Sequence, residues 1–197
     1  MSYQLFITIM SFQFINACKI LSSYALSRLT GKYFVWGKPY TFIIEPTAIC
    51  NLRCPQCPVG LKTLLRPQDN MTFAEYKVVI DEIADHTGSV VVFQGESFIN
   101  PEIIDMIDYA YDKGIFTVIS TNGTRLANPE FAEALAASKL GRLILSVDGA
   151  TEETYKIYRQ AWTFSPGNPG IFKFMASRAT GEDVPKSRFA IYCNATQ

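Results

Sequence analysis

The sequence predicts an α/β fold in which a parallel sheet is flanked by helices and preceded by an N-terminal helix. Short apolar runs, Tyr40–Glu45, Ser89–Phe93, Ile115–Ser120 and Arg142–Val147, alternate with stretches of helical periodicity. Capping residues and glycines mark where those helices begin and end. Strand-helix alternation of this kind builds βα units joined by right-handed crossovers, and places chemistry in the loops that follow the strands.

Taken in order, Phe12, Ile15, Ile20, Leu21, Tyr24, Leu26 and Leu29 recur at roughly helical spacing, and Gly31 can stop that helix. Tyr40–Glu45, bounded by Pro39 and Pro46, suits a buried strand. Thr72 with Glu75 three residues on forms a capping box for a helix to about Ala84. After Ser89–Phe93, Pro101 is expected at the first helical position of a segment carrying Ile103, Ile104, Ile107, Tyr109 and Tyr111, which Gly114 ends. Ile115–Ser120 leads to the Asn122-Gly123 turn. Asn128 then caps a helix with Pro129 at its start and Phe131, Leu135 and Ala136 on its inner face. Beyond Arg142–Val147, Thr151 opens another helix, with Glu152 and Glu153 complementing its dipole and Thr154 in the weaker capping-box slot.

Composition narrows the function. The 197 residues are 48% hydrophobic and 18% charged, which excludes a disordered chain. Eighteen basic and eighteen acidic side chains cancel, and no Lys/Arg run occurs, so nucleic acid is not an expected partner. The apolar stretch Leu5–Ile15 is short, is interrupted by Thr8, Ser11 and Gln13, and lacks a preceding basic region. It reads as the start of a buried or interfacial helix, with neither a signal peptide nor a membrane span. Of five cysteines, Cys18, Cys50, Cys54, Cys57 and Cys193, three crowd into eight residues. Such crowding favours a metal or redox site in a reducing compartment, and hence a cytoplasmic location.

Cys50-Asn-Leu-Arg-Cys54-Pro-Gln-Cys57 has the spacing C-x3-C-x2-C and lies directly after the first predicted strand. Three thiolates on a Pro-stiffened loop can hold three corners of a [4Fe–4S] cube and leave the fourth iron open to another ligand. A zinc site would need a fourth ligand, for which His86 and Cys18 are the remote candidates. The motif resembles that of radical S-adenosylmethionine (SAM) enzymes. The resemblance implies that Cys50, Cys54 and Cys57 ligate the cluster and that the open iron chelates the amine and carboxylate of SAM. It further implies reductive cleavage of SAM to a 5′-deoxyadenosyl radical that abstracts hydrogen.

Later segments extend the resemblance. Gln94-Gly95-Glu96 is similar to the family's Gly-Gly-Glu motif, which receives the SAM amino group, with Gln94 in place of the first Gly and Ser97 where Pro often follows. Without that context, Gly-Glu is an ordinary turn. Ser146-Val-Asp148-Gly149 and Tyr155-Lys-Ile-Tyr-Arg159 resemble segments of the SPASM-associated subgroup, whose Ser and Arg at these places bind the SAM carboxylate. A strand end and a solvated Arg are the plain alternative. Ser120-Thr-Asn122-Gly123 either contacts SAM or substrate, or serves as a turn. Candidate SAM contacts are therefore Gln94, Gly95, Glu96, Ser120, Asn122, Ser146, Asp148 and Arg159, and no side chain is assigned as catalytic.

The resemblance covers roughly residues 14–160, which implies a partial (βα) radical SAM barrel of about four βα units where the family has six. Residues 1–38 read as a helical extension, 39–160 as the core, and 161–197 as an atypical, poorly packed tail. Only Cys193 follows Cys57, too few for an auxiliary cluster. Reading Phe189–Gln197 one nucleotide later permits the strand-like LQFIVMRH, and the same shift over Gly167–Phe174 permits VIQGFLNL. A frameshift near Gln160–Ser165 would account for both and leave the fourth strand with an unpaired edge. The expected function is radical SAM chemistry on a peptide or small-molecule substrate, with a ferredoxin or flavodoxin as reductant. A non-catalytic cluster- and SAM-binding remnant is the second reading, and a zinc-loop interaction protein the third.

Overall fold

The computed structural model describes residues 3–92, 94–148, 156–160 and 189–193. In chain order these form α1 (Tyr3–Thr30), β1 (Thr41–Ile44), α2 (Phe73–Ile83), β2 (Ser89–Val92), α3 (Ile103–Asp112), β3 (Phe116–Thr121), α4 (Pro129–Ala137), β4 (Arg142–Val147) and β5 (Phe189–Cys193). The strands make one sheet in the order β1-β2-β3-β4-β5, and every neighbouring pair is parallel.

Local chemistry accounts for the helix ends. Both halves of the capping box are present at α2: Glu75 N–H donates to Thr72 Oγ1, and Thr72 N–H donates to Glu75 Oε2 at 2.8 Å. Asn128 Oδ1 accepts from Phe131 N–H at 2.9 Å, with Pro129 at the first position of α4. Pro101 is displaced from its expected place. It lies in the turn before α3, where Asn100 Oδ1 accepts from Glu102 N–H and the helix starts two residues later. Gly114, at φ 76°, ends α3 as expected.

Strand alternation assigns the two faces of the sheet. Ile44, Val90, Val92, Ile119, Leu143 and Leu145 form the core together with Tyr76, Ile80 and Ile83 of α2, Ile103, Met106, Ile107 and Ala110 of α3, and Leu135 of α4. The intervening residues, among them Ser120 and Ser146, face the other way and are only partly buried. Helices thus cover one face, and the strand C-terminal loops rise from the open side.

One expectation needs correction. The fourth strand does not end in an unpaired edge, because Leu143–Val147 pairs in parallel with Phe189–Cys193. Among the described side chains of α1, Gln13, Asn16 and Ser23 are buried, Ile20 and Leu26 are half-buried, and Phe12, Ile15, Leu21, Tyr24 and Leu29 are exposed. Of the helix expected from Thr151, residues 156–158 are helical, and its start lies outside the described residues.

Ile80 is wholly buried where α2 meets the sheet. Ile80→Ala is expected to lower unfolding stability by about 2–5 kcal/mol in a denaturant titration, since it leaves a cavity that the packed sheet cannot refill.

Candidate functional site

The cysteine loop is held by its own backbone and by three neighbouring segments. Cys57 N–H donates to Cys54 O at 3.1 Å, and Leu61 N–H to Cys57 O at 2.9 Å, which curls the loop around its last two thiols. Leu52 and Val59 are buried and anchor it. A Cβ at Gly60 would come within 2.7 Å of Cys54 N, so only Gly permits this close return of the chain. Arg53 N–H donates to Gln160 O at 2.9 Å, tying the loop to the helical segment at 156–158.

The loop after β2 packs beneath it. Gln94 and Gly95 both take left-handed backbone, at φ 80° and 61°. This explains the Gly found at the first position of the related motif, since Gln94 pays a strain of roughly 1 kcal/mol for that conformation. A Cβ on Gly95 would lie 2.5 Å from Thr47 O and 2.9 Å from Ile49 O, and Glu96 N–H donates to Ile49 O at 2.8 Å. Glu96 is 1% exposed. Its carboxylate accepts from Thr121 Oγ1 at 2.6 Å, from Asn122 N–H at 2.8 Å and from Phe98 N–H at 3.4 Å. Burial pushes its carboxyl up from the ordinary value, while those donors pull it down.

From Asn122 the network returns to the cysteines. Asn122 Nδ2 donates to Asn51 Oδ1 at 3.0 Å, and Asn51 Nδ2 donates to Thr124 Oγ1 at 3.1 Å. Across the open face of the sheet, the hydroxyls of Ser120 and Ser146 share a hydrogen bond of 3.2 Å. Arg159 pairs with Asp148 through Nε, and its Nη1 donates to Cys54 Sγ at 3.8 Å. Burial raises the thiols of Cys50 and Cys54, and at Cys54 the Arg159 guanidinium opposes that rise.

Cys50, Cys54 and Cys57 line one cavity of about 210 Å³, together with Gln94, Gly95, Glu96, Ser120, Asn122, Ser146 and Arg159. Asp148 is not part of the lining and instead holds Arg159. Leu52, Gly60 and Tyr158 also line the cavity without having been singled out as contacts from the sequence, as does Thr121 of the Ser120–Gly123 segment. Tyr158 adjoins Arg159 in the motif quoted above, so its place was within reach of sequence reasoning. Asn51 and Thr121 lie within quoted motifs, but their partners, Asn122 and Glu96, are far along the chain and no local pattern gives those pairings. His86 and Cys18 lie at the opposite end of the sheet: His86 precedes β2 and pairs with Asp85, and Cys18 is exposed on α1. Neither can complete a metal site with the cysteine loop.

The sequence pattern of the Radical SAM superfamily matches residues 44–166, more than half of the chain. The chain belongs to that superfamily. AdoMet-dependent heme synthase of Methanosarcina barkeri is 35% identical over 153 residues, which are 77% of this chain and 41% of that protein. Mycofactocin maturase MftC of Mycobacterium ulcerans is 32% identical over 128 residues, 64% of this chain and 34% of that one. The chain thus spans less than half the length of these curated relatives. Among solved structures, Streptococcus suis SuiB bound to S-adenosylmethionine superposes with a TM-score of 0.57 at 19% identity, covering 78% of this chain and 34% of that one. BtrN in complex with AdoMet and 2-DOIA gives 0.59 at 14% identity, covering 83% and 60%. Both place the chain in the radical SAM barrel fold, and the maturases among its relatives agree with the SPASM-associated subgroup.

The superfamily uses a [4Fe–4S] cluster and SAM. The donor set suits that cluster, because three thiols and a cysteine-directed guanidinium border a single cavity. Among the described residues, no group of three or more His, Cys, Asp or Glu, the three loop cysteines included, stands close enough together to hold a single metal ion.

Gly95→Ala is expected to destabilise the fold by at least about 2 kcal/mol, because the new methyl meets two backbone carbonyls that cannot retreat cheaply. Chemical unfolding measures this, and an unchanged midpoint would contradict the close approach described.

Proposed function

We propose that residues 39–160 form the cluster- and SAM-binding core of a radical SAM enzyme, with residues 1–38 as an extension outside that core. The observation that carries the reading is the convergence of three thiols and the loops after β1, β2 and β3 on one cavity. When bound, the cluster supplies the electron that cleaves SAM, giving methionine and a 5′-deoxyadenosyl radical that abstracts hydrogen from substrate.

The chain's own residues bind and orient. Cys50, Cys54 and Cys57 would hold the cluster, which SAM would then meet in the same cavity. The left-handed Gln94-Gly95 backbone brings the chain close enough to meet the SAM amine, and Glu96 holds that backbone through Thr121 and Asn122. Ser146 and Arg159 serve the SAM carboxylate, the guanidinium being aimed at the cluster side of the cavity by Asp148. Ser120 and Asn122 line the wall where the rest of SAM or the substrate enters. A ferredoxin or flavodoxin is the proposed electron donor, and the cytoplasm the proposed compartment. The substrate is a peptide or a small molecule. In support, one solved SuiB structure is bound to the precursor peptide SuiA, and the relatives include a PqqA peptide cyclase and heme synthases.

Anaerobic reconstitution followed by iron and sulfide analysis tests the ligands. Replacing Cys50, Cys54 or Cys57 by Ala is expected to abolish stable [4Fe–4S] content, whereas Cys18→Ala leaves it at the wild-type level. Full cluster content in any of the first three variants would overturn the assignment. Incubating reduced protein with SAM and quantifying 5′-deoxyadenosine then separates an enzyme from a module that binds both cofactors without turnover.

A further inference from the structure

Over its described side chains the N-terminal helix turns Gln13, Asn16 and Ser23 inward and leaves most of its apolar residues exposed. Gln13 Nε2 donates to Ala84 O at 3.2 Å and to Gly114 O at 3.3 Å, and Asn16 Nδ2 donates to His86 O at 2.9 Å and to Lys38 O at 3.0 Å. The carbonyls of Ala84, His86 and Gly114 sit where α2 and α3 end and β2 and β3 begin, and that of Lys38 just before β1. α1 therefore crosses the strand N-terminal end of the sheet, away from the cavity at the strand C-terminal ends. Its attachment is polar because the exposed carbonyls of those turns require donors.

The outward side is apolar. Phe14, Cys18, Leu21, Ala25 and Leu29 follow one another at intervals of four and three residues, which aligns them along one face, and all five are exposed. Leu21 is 67% and Leu29 84% accessible. Lys19 and Arg28, both exposed, stand about a quarter-turn to either side of that stripe. The strap that follows is bound back onto α1: Phe34 N–H donates to Ser27 Oγ at 3.0 Å, and a Cβ on Gly37 would lie 2.4 Å from Ile20 Cγ1. It leaves Tyr33 98% exposed, with Val35 and Trp36 also open to solvent.

Charge selects the occupant. Residues 1–44 contain Lys19, Arg28, Lys32 and Lys38 and no Asp or Glu, although acidic and basic residues balance over the whole chain; of the four, Lys38 pairs with Asp85 at 3.9 Å. A second copy seated on this face would set like charges against one another, with no carboxylate from either helix to pair them. An anionic bilayer surface offers what the face lacks: phosphate for the flanking cations and acyl chains for the stripe, with Tyr and Trp at the boundary. No helix among the described residues is long and apolar enough to cross a membrane, which leaves α1 lying in the plane of the interface.

We propose that α1 and the strap Tyr33–Tyr40 form a docking surface for an anionic lipid bilayer, holding the protein peripherally with its cofactor cavity turned away from the membrane. The stripe enters the headgroup and acyl boundary while Lys19 and Arg28 reach back to the phosphates.

Co-sedimentation of the full chain with vesicles tests this. Vesicles of phosphatidylcholine mixed with phosphatidylglycerol are expected to bind the protein, phosphatidylcholine alone much less, and added salt to weaken the binding. Phe14→Ser combined with Leu21→Ser should reduce partitioning at least about ten-fold, and Lys19→Ala with Arg28→Ala roughly twenty-fold. Circular dichroism of each variant should match wild type, because all four side chains point away from the body. Absence of binding to either vesicle, or binding that neither pair of substitutions alters, would overturn the proposal. So would a dimer in light scattering that the Phe14/Leu21 variant dissociates while vesicles bind nothing. None of these readouts depends on the cluster, so failure here leaves the proposed radical SAM function standing.

Discussion

The site is organised around a carboxylate that solvent scarcely reaches. Glu96 sits between the loop after β2 and the loop after β3, and its oxygens are taken by a hydroxyl and two backbone donors from those loops. A buried carboxylate left without donors would be costly. The loops are thereby held in one arrangement, and through Asn122 and Asn51 the restraint extends to the segment carrying the cysteines. Glu96 is placed to position that arrangement.

The parallel sheet makes this convergence possible. Each βα unit returns the chain to the same end, so loops distant in sequence meet above the strand C-termini. Cys50, Leu52, Cys54 and Cys57, residues 94–96 and 120–122, and Ser146 reach one cavity by this means. Alternation along each strand does the sorting: Ile119 and Leu145 go to the core, while the adjacent Ser120 and Ser146 go to the open face and bond to each other. A shift of one residue in β3 or β4 would bury the serines and expose the core residues.

Local signals were legible in proportion to how local their causes are. The capping box at Thr72, the cap at Asn128 and the stop at Gly114 depend on a few neighbouring residues and stand where the sequence places them. The cysteine spacing is equally local, and its thiols do share a cavity. Pairing of β5 with β4 could not be read from Phe189–Cys193, because a short apolar run carries no information about its partner. The orientation of α1 was not legible for a different reason. Helical spacing shows that one face differs from another, but the inward face was chosen by carbonyls at Ala84, His86 and Gly114, and these call for Gln13 and Asn16. The role of Asp148 as the partner of Arg159 likewise arises from contact across eleven residues through a segment whose path the sequence does not specify.

The central claim is that three thiols hold a cluster whose remaining iron is available to SAM. Electron paramagnetic resonance of the anaerobically reconstituted, reduced protein, recorded with and without SAM, tests it most directly. The account predicts a cluster signal whose g-values shift when SAM is added. A cluster signal that SAM leaves unchanged would contradict it.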